Sequence, residues 1–320
     1  MLTRRNFLTG AIATGVVMRG LPGFAKAPQP AMAVNFDIPP HACDCHIHFY
    51  GDTKQFPLSP QHVYTPDAMK PEEMSALHRA LHIERVVIVT PSPYGSDNSA
   101  TLYAMKARGA NARGIVVIND KMTDNDYDAM YRAGVRGARV IATATGLPDP
   151  AAARPVYQAA AARFKNHNWH IQIYANLALV SAIKDLVHTS PVPTVFDHFA
   201  GAHAALGLEQ PGFSDLLELV RSGSTYVKIS APYRSSTKSP DYPDMAPFAK
   251  ALIEANPDRI LWGTDWPHPM APVDRGKPTD PMPMFPVDDG RLLNQLPAWA
   301  HDPAIRKKIL VDNPARLYGF

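Results

Sequence analysis

The sequence predicts a single α/β domain folded as a (β/α)8 TIM barrel. Eight short and mostly apolar segments alternate with helical segments, which is the pattern of parallel strands that are covered on both faces. About 290 residues follow the N-terminal segment, a length within the usual range for one such barrel. No G-x-G-x-x-G motif follows the first strand, which disfavours the alternative fold, an open doubly wound sheet.

The predicted strands and helices alternate along the chain. The strands are predicted at 42–49, 85–90, 114–119, 135–140, 170–175, 194–198, 226–230 and 260–264. The helices between them are predicted at 71–81, 99–108, 123–133, 151–166, 178–187, 212–222 and 245–255. Long loops at 51–70 and 266–291 leave the carboxyl ends of the first and eighth strands, where barrels of this kind build their active sites. We expect both loops to cover the mouth of the pocket.

Residues 1–27 have the pattern of a twin-arginine export signal. Arg4 and Arg5 precede a mostly apolar run, and an A-x-A cleavage site follows at 25–27. An uncleaved anchor is the alternative, but the run is shorter than the roughly 20 residues that a membrane span needs. The pattern predicts recognition by the twin-arginine export machinery, a mature barrel domain at 28–320 and a periplasmic location.

Charge and cysteine content narrow the classes of partner. The formal net charge of +3 at pH 7 is spread along the chain without a basic block, so nothing indicates nucleic-acid binding. No run after the N-terminal segment is long and apolar enough to span a membrane. Cys43 and Cys45 are two residues apart in a strand, a spacing that does not favour a disulfide, and are interpreted as small buried apolar residues. The expected partner is therefore a small molecule.

The ends of three predicted strands carry residues suited to chemistry. The two-residue period of the first strand puts Asp44, His46 and His48 on one face and the cysteines on the other. The sixth strand ends in His198 and the eighth in Asp265, so all these side chains are expected at one end of the barrel. The alternatives are histidines that only fill the core and an Asp265 that caps a helix.

The H-x-H that opens the barrel, the later histidine and the aspartate after the last strand resemble the amidohydrolase superfamily over the whole mature chain. Within it, the sequence is most similar to the 2-pyrone-4,6-dicarboxylate lactonases and related sugar-acid lactonases. The shared motifs are D-C-H-x-H at 44–48, P-S-P at 91–93, G-V-R-G-A-R at 134–139, F-D-H at 196–198 and T-D-W-P-H-P at 264–269. The resemblance implies a barrel lactonase that acts on a small cyclic ester acid.

The resemblance also implies roles for individual residues. Asp265 would be the general base that activates water, and the histidines would polarise the lactone carbonyl and hold its negative charge; they are His46, His48 and His198. Arg139 and Arg234 match positions that grip substrate carboxylates. Three further residues match positions that hydrogen-bond the ligand, namely Tyr64, Ser92 and Tyr174. Rim salt bridges and ordinary packing are the alternatives for these five.

The prediction about a metal cofactor rests on the residues that the middle strands carry. Metal-dependent members of the superfamily carry a further histidine, or a bridging lysine or glutamate, on those strands, whereas here the fifth strand ends in the residues Q-I-Y-A at 172–175. The lactonases that the sequence resembles use the same site residues without a metal, so no cofactor is expected. Zinc remains the alternative, because His46, His48 and Asp265 are a suitable set of three ligands.

One departure from the lactonase pattern bears on the substrate. The second arginine of that pattern falls on Thr145, and no basic residue occurs between Arg139 and Arg154. A dicarboxylate would then leave one buried charge unpaired, so we expect a lactone with a single carboxylate or with hydroxyl groups. His62 and His268, in the loops at the mouth, are secondary candidates.

Three other functions remain open from the sequence. They are a zinc-dependent decarboxylase or hydratase, a lactone isomerase, and a binding protein that has kept the pocket without catalysis.

Overall fold

The structure is a computed structural model that describes residues 27–140, 150–270 and 284–320. In these ranges eight parallel strands, β1 to β8, pair in chain order. They are β1 (Cys43–Ile47), β2 (Arg85–Val89), β3 (Ala112–Val116), β4 (Val135–Arg139), β5 (His170–Ile173), β6 (Thr194–Phe196), β7 (Thr225–Lys228) and β8 (Ile260–Leu261). Backbone hydrogen bonds from Cys45 N to Trp262 O (2.9 Å) and from Asp265 N to His46 O (2.8 Å) join the last strand to the first. The predicted (β/α)8 barrel is confirmed.

Helices surround the strands. The α-helices of the described ranges are α1 (Pro71–Ala80), α2 (Ser99–Arg108), α3 (Asp124–Arg132), α4 (Pro150–Phe164), α5 (Leu177–His188), α6 (Phe213–Arg221), α7 (Ala246–Ala255), α8 (Asp289–Leu293), α9 (Leu296–Trp299), α10 (Pro303–Lys307) and α11 (Asn313–Tyr318). The sequence prediction missed the four short helices after residue 288. Side-chain caps begin two of the predicted ones, since Thr123 accepts from Asp126 N at α3 and Asn176 from Leu179 N at α5.

Two apolar cores hold the barrel. The larger one lies between the strands and the helices; on α6, for example, Phe213, Leu216 and Val220 are buried on one face. The smaller one contains Cys43 and Cys45 together with residues from β2, β3, β6, β7 and β8, so it fills the interior of the barrel. Both cysteines are free and buried, as the sequence predicted.

The prediction for the faces of β1 was wrong at Asp44 and at the two cysteines, which lie in the barrel interior on the same side as His46. The pairing of β1 with β2 slips between Asp44 and Ile47, where β1 carries one more residue than its partner. Such a bulge puts two consecutive side chains on one side of a strand. Cys45 and His46 therefore both face the interior, whereas Asp44 points outward to His78 of α1, with 3.4 Å between its Oδ2 and the histidine Nε2.

Some predicted features lie outside the described residues. They are the export signal up to residue 26, Thr145, and the central part of the 266–291 loop. None of the helices in the described ranges has both the length and the apolar character of a membrane span.

Candidate active site

Asp265 lies just beyond β8 with both of its carboxylate oxygens fully buried. Its backbone φ of 63° is in the left-handed region, a conformation that costs a non-glycine residue about 1–3 kcal/mol and that is concentrated at functional sites. Oδ2 accepts hydrogen bonds from Arg234 Nε and from the Tyr233 hydroxyl, each at 2.8 Å. Oδ1 accepts no hydrogen bond from any described residue. Oδ2 is therefore held in place by two donors, and Oδ1 is available to accept a hydrogen bond or a proton.

Three imidazoles converge on that available oxygen. The Nε2 atoms of His46, His48 and His198 lie 3.6, 3.5 and 3.6 Å from Asp265 Oδ1. All three rings are buried, with His198 following β6 and the other two at the carboxyl end of β1. The structure thus brings together the four residues that the sequence named as catalytic.

The hydrogen-bond partners of two of these rings determine whether Nε2 carries a proton or a lone pair. His48 Nδ1 lies 2.8 Å from the carbonyl oxygen of Val89, which can only accept, so Nδ1 carries the proton and Nε2 has a lone pair in the neutral ring. Arg139 Nη2 lies 3.0 Å from His46 Nε2, and an arginine can only donate, so this Nε2 also accepts.

The third ring has more freedom. His198 Nδ1 lies 2.8 Å from the Ser230 hydroxyl, which can donate or accept. His198 is therefore the ring of the three that can place an Nε2–H at the centre while it is neutral.

Charges around the site set its protonation. Burial alone would raise the pKa of the Asp265 carboxyl, but the Arg234 guanidinium holds it well below its ordinary value. Burial lowers the pKa of His48 to about 3 and that of His198 to about 4, and it lowers the pKa of His46 well below 6.5. At neutral pH the site therefore contains an ionised carboxylate and neutral imidazoles.

A buried ion pair lies beneath His46, and the sequence did not assign it a role. Lys228 Nζ of β7 is 3.1 Å from Asp197 Oδ1 and 2.7 Å from Gln172 Oε1. The same Asp197 Oδ1 is 3.2 Å from His46 Nδ1, which suits a protonated Nδ1. Burial works against ionisation of Asp197, but Lys228 and His46 hold its pKa well below its ordinary value. A lysine within an apolar strand was the signal that could have revealed this pair.

The two arginines predicted to bind substrate line the same centre. Arg139 bonds Asp197 Oδ2 at 3.1 Å, and Arg234 bonds Asp265 Oδ2 and, at 2.9 Å, the Pro269 carbonyl. Their side chains are 11% and 15% exposed, so each arginine is mostly buried and already has a protein partner.

The predicted hydroxyl ligands lie nearby. The Tyr64 hydroxyl is 3.4 Å from Ser92 Oγ and 3.4 Å from the Tyr50 hydroxyl. Tyr174 is 39% exposed, and its ring centroid is 5.7 Å from that of His198. Tyr174 therefore lies beside His198, and Tyr64 and Ser92 lie beside each other.

The secondary candidates point elsewhere. His62 Nδ1 lies 2.6 Å from the Ser59 carbonyl of its own loop. His268 is fully buried and contacts Tyr233 and Asp289 instead of the mouth.

The cluster fits a metal ion. His46, His48 and Asp265 each offer one ligand atom within 4.8 Å of the other two, and the two Nε2 atoms are 3.6 and 3.5 Å from Asp265 Oδ1. Tetrahedral zinc, with bonds of about 2.0–2.2 Å, holds its ligand atoms about 3.4 Å apart. The lone pair on His48 Nε2 and the unbonded Oδ1 also suit a cation. These three residues could hold a metal ion, and His46 would first have to release Arg139.

A protein-family model described as Amidohydrolase matches residues 43–320. The chain belongs to the amidohydrolase family. The family predicted from the strand-end motifs is thereby confirmed.

This amidohydrolase is similar along most of its length to named relatives. It is 34% identical over 289 residues to a 4-sulfomuconolactone hydrolase of Hydrogenophaga intermedia, covering 89% of this chain and 91% of that one. It is 32% identical over 292 residues to a 2-pyrone-4,6-dicarboxylate hydrolase of Comamonas testosteroni, covering 88% and 92%. A crystal structure of an Agrobacterium tumefaciens protein superposes with a TM-score of 0.74 at 27% identity, covering 91% and 98%.

Proposed function

We propose that this amidohydrolase opens the ring of a small anionic lactone by hydrolysis, with Asp265 as general base. The observation that carries the proposal is the Oδ1 atom of Asp265, which is buried, ionised and free of hydrogen-bond donors from the described residues while three imidazoles surround it. Tyr233 and Arg234 occupy Oδ2, so Oδ1 is the carboxylate oxygen that is placed to accept a proton from water. The names of the two hydrolase relatives, both of which act on lactones, support the same reaction class.

Each step of the proposed hydrolysis is carried out by particular residues of the site. Asp265 Oδ1 takes one proton from water as the water oxygen bonds to the lactone carbonyl carbon. The carbonyl electron pair moves to its oxygen, where His198 Nε2–H and the Arg139 guanidinium stabilise the negative charge. His46 and His48 do not share this role as the sequence predicted, because their Nε2 atoms are acceptors in the neutral rings. The ring C–O bond then breaks, and the proton on Asp265 passes to the leaving oxygen. The net reaction adds one water across the ester bond.

The charge of the substrate follows from the arginines. Arg139 bonds Asp197, and Arg234 bonds Asp265, so both guanidinium groups lie at the site. A guanidinium pairs well with a carboxylate or a sulfonate. The names of the two relatives contain a sulfo group and two carboxylates. From Thr145, we further propose a substrate with one carboxylate or with hydroxyl groups in preference to a dicarboxylate.

We propose that hydrolysis needs no resident metal. In support, the Arg139 guanidinium uses the lone pair of His46 Nε2 that a metal would need. The metal-dependent alternative is supported by the unused lone pair on His48 and by the free Oδ1. A zinc ion on His46, His48 and Asp265 would polarise the lactone carbonyl as a Lewis acid.

A panel of lactones tests the proposal. Metal-stripped and zinc-loaded protein would be assayed on muconolactones, aldonolactones, aldarolactones and pyrone dicarboxylate, with products identified by NMR. We expect ring-opened acids from the stripped protein, and a preference for a monoanionic lactone. Lactone isomers as products would indicate an isomerase, and activity only with zinc would overturn the metal-free proposal. Binding of a lactone without turnover would indicate a binding protein instead of an enzyme.

We also propose that the protein is exported to the periplasm by the twin-arginine pathway, on the pattern of residues 1–27. Replacing Arg4 and Arg5 together by lysine should keep the active protein in the cytoplasmic fraction. Unchanged periplasmic recovery of the double variant would reject this route.

A further inference from the structure

A chain of buried polar groups leads away from Oδ2 of Asp265, and the proposed reaction does not use its far end. The Tyr233 hydroxyl is 2.8 Å from Oδ2 and 3.1 Å from His268 Nδ1. His268 Nε2 is 3.1 Å from Asp289 Oδ2, in the first turn of α8. Tyr233 is 5% exposed, and His268 and Asp289 are at most 1% exposed. Polar groups so deeply buried are costly unless each finds a partner, so the chain must be satisfied internally.

The direction of these hydrogen bonds follows from counting protons. The Asp265 carboxylate is paired with the Arg234 guanidinium, with 2.7 Å between Oδ2 and Nη2, and can only accept, so the Tyr233 hydroxyl donates its single proton to Oδ2. The Tyr233 oxygen must then accept from His268, which requires a proton on Nδ1. In the neutral ring Nε2 is then an acceptor, so the proton of the next hydrogen bond belongs to Asp289 Oδ2, and burial raises the pKa of Asp289. If Nδ1 lacked that proton, its lone pair would compete with Oδ2 for the hydroxyl proton.

The backbone indicates that His268 is held for this contact. Its φ of 69° is left-handed, which costs a non-glycine residue about 1–3 kcal/mol. Its N–H donates to the Asp265 carbonyl at 2.8 Å, and its carbonyl accepts from Phe285 N at 2.9 Å. A strained backbone persists only where its surroundings determine it, and here they aim the ring at Tyr233.

We propose that His268 and Asp289 are positioning residues that keep the Tyr233 hydroxyl donating to Oδ2 of Asp265, and so reserve Oδ1 for the proton of the attacking water. The inference rests on the proposed function, because it takes Oδ1 as the basic atom. His268 acts through Tyr233, and Asp289 acts through His268 by holding its ring. The Arg234 bond to the same Oδ2 adds to the asymmetry between the two oxygens.

Two amide substitutions separate this role from simple packing. The short side chain of asparagine can replace the Nδ1–H donor of His268, whereas the longer glutamine reaches toward Asp289. We expect His268→Gln to lower kcat about 10- to 100-fold at unchanged KM, and His268→Asn to stay within about 3-fold of the parent. His170→Gln is the matched control, because His170 is also buried but lies at the start of β5, at the opposite end of the barrel.

A double-mutant cycle makes the test independent of the size of each effect. Tyr233→Phe should lower kcat as His268→Gln does, and the double variant should be within about 3-fold of Tyr233→Phe, because His268 acts only through that hydroxyl. Additive losses, or equal losses in His268→Asn and His268→Gln with matching falls in Tm, would assign His268 to packing alone.

A spectrum of the resting protein separates failure of this inference from failure of the proposed function. In protein labelled with ¹⁵N-histidine, the His268 signal is the one missing from His268→Asn. A protonated Nδ1 supports the positioning role even if no lactone is turned over. An unprotonated Nδ1 overturns it even if lactones are hydrolysed.

Discussion

Thr264 donates twice to the carboxylate of Asp44, from its backbone N–H to Oδ1 at 3.0 Å and from its hydroxyl to Oδ2 at 2.6 Å. The same Oδ1 also accepts the His46 backbone N–H at 3.1 Å. One buried carboxylate therefore joins β1 at its bulge to the residue before the strained Asp265. Gly263 allows this approach, because a Cβ there would lie 2.8 Å from His46 N.

The first prediction concerns that carboxylate. Asp44→Ala should lower the free energy of unfolding by about 1–3 kcal/mol, because it leaves buried donors without an acceptor. It should also lower kcat, since His46 and Asp265 lose their common support. Urea unfolding and steady-state kinetics measure both effects. Asp185→Ala, at an exposed ion pair with Arg154, is the control and should change the unfolding free energy by less than about 1 kcal/mol. Equal effects of the two variants would contradict the bracing role.

The second prediction concerns the base. In Asp265→Asn the side-chain oxygen can stay with Arg234 and Tyr233 while the amide nitrogen takes the place of Oδ1, beside the His48 lone pair. The fold should survive, and kcat should fall about 10²- to 10⁴-fold because no oxygen is left to accept the water proton. Circular dichroism and turnover of the lactone found in the panel give the two readouts. Asp241→Asn, at an exposed aspartate, should retain parental kcat. If Asp265→Asn kept the parental kcat, Asp265 would not be the general base.

The third prediction concerns Arg139. Arg139→Met removes a guanidinium that can grip an anionic group, so KM for the anionic lactone should rise about 10- to 100-fold. The methyl ester of the same lactone lacks that charge, and its KM should change far less. The ratio of the two KM values is the readout, because kcat for both substrates also falls when the oxyanion and His46 lose this donor. Arg154→Met, at an exposed arginine, should leave the ratio unchanged. An equal rise in both KM values would exclude recognition of the anion by Arg139.

Much of the fold and of the site follows from local patterns. Apolar runs that alternate with helices specify a barrel, and the carboxyl ends of its parallel strands meet at one end. His46, His48, His198 and Asp265 could therefore be grouped from the sequence, because each ends or follows a strand. Their convergence within 3.6 Å follows from that topology.

What the sequence did not reveal depends on contacts between distant residues. The bulge that turns Asp44 outward depends on the pairing of β1 with β2, and a two-residue period gives no sign of it. Lys228 meets Asp197 from a neighbouring strand, and His268 meets Asp289 across 21 residues. Such pairs are fixed by barrel closure, so the residue types alone do not select the partners.

The fourth prediction concerns the dependence of stability on pH. His48 and His198 have folded pKa values of about 3 and about 4, lowered mainly by burial from an ordinary 6.5. As the pH falls below about 6.5, the unfolded chain binds protons on these residues while the folded protein does not, so unfolding becomes more favourable. The stability they contribute is complete above about pH 6.5 and is lost as the pH falls toward about 4. Each residue contributes a slope of up to about 1.4 kcal/mol per pH unit in that window.

Urea unfolding between pH 7 and pH 4.5 measures this slope. The parental protein should lose stability steadily over the range, and His198→Asn should lose less per pH unit, because one proton-binding group is missing from the unfolded chain. His301→Asn, at an exposed histidine remote in sequence from the catalytic cluster, should keep the parental slope. The comparison uses slopes instead of absolute stabilities, so a packing defect in His198→Asn does not affect it. An unchanged slope in that variant would mean that His198 binds its proton equally in the folded and the unfolded protein, which contradicts a pKa lowered by burial.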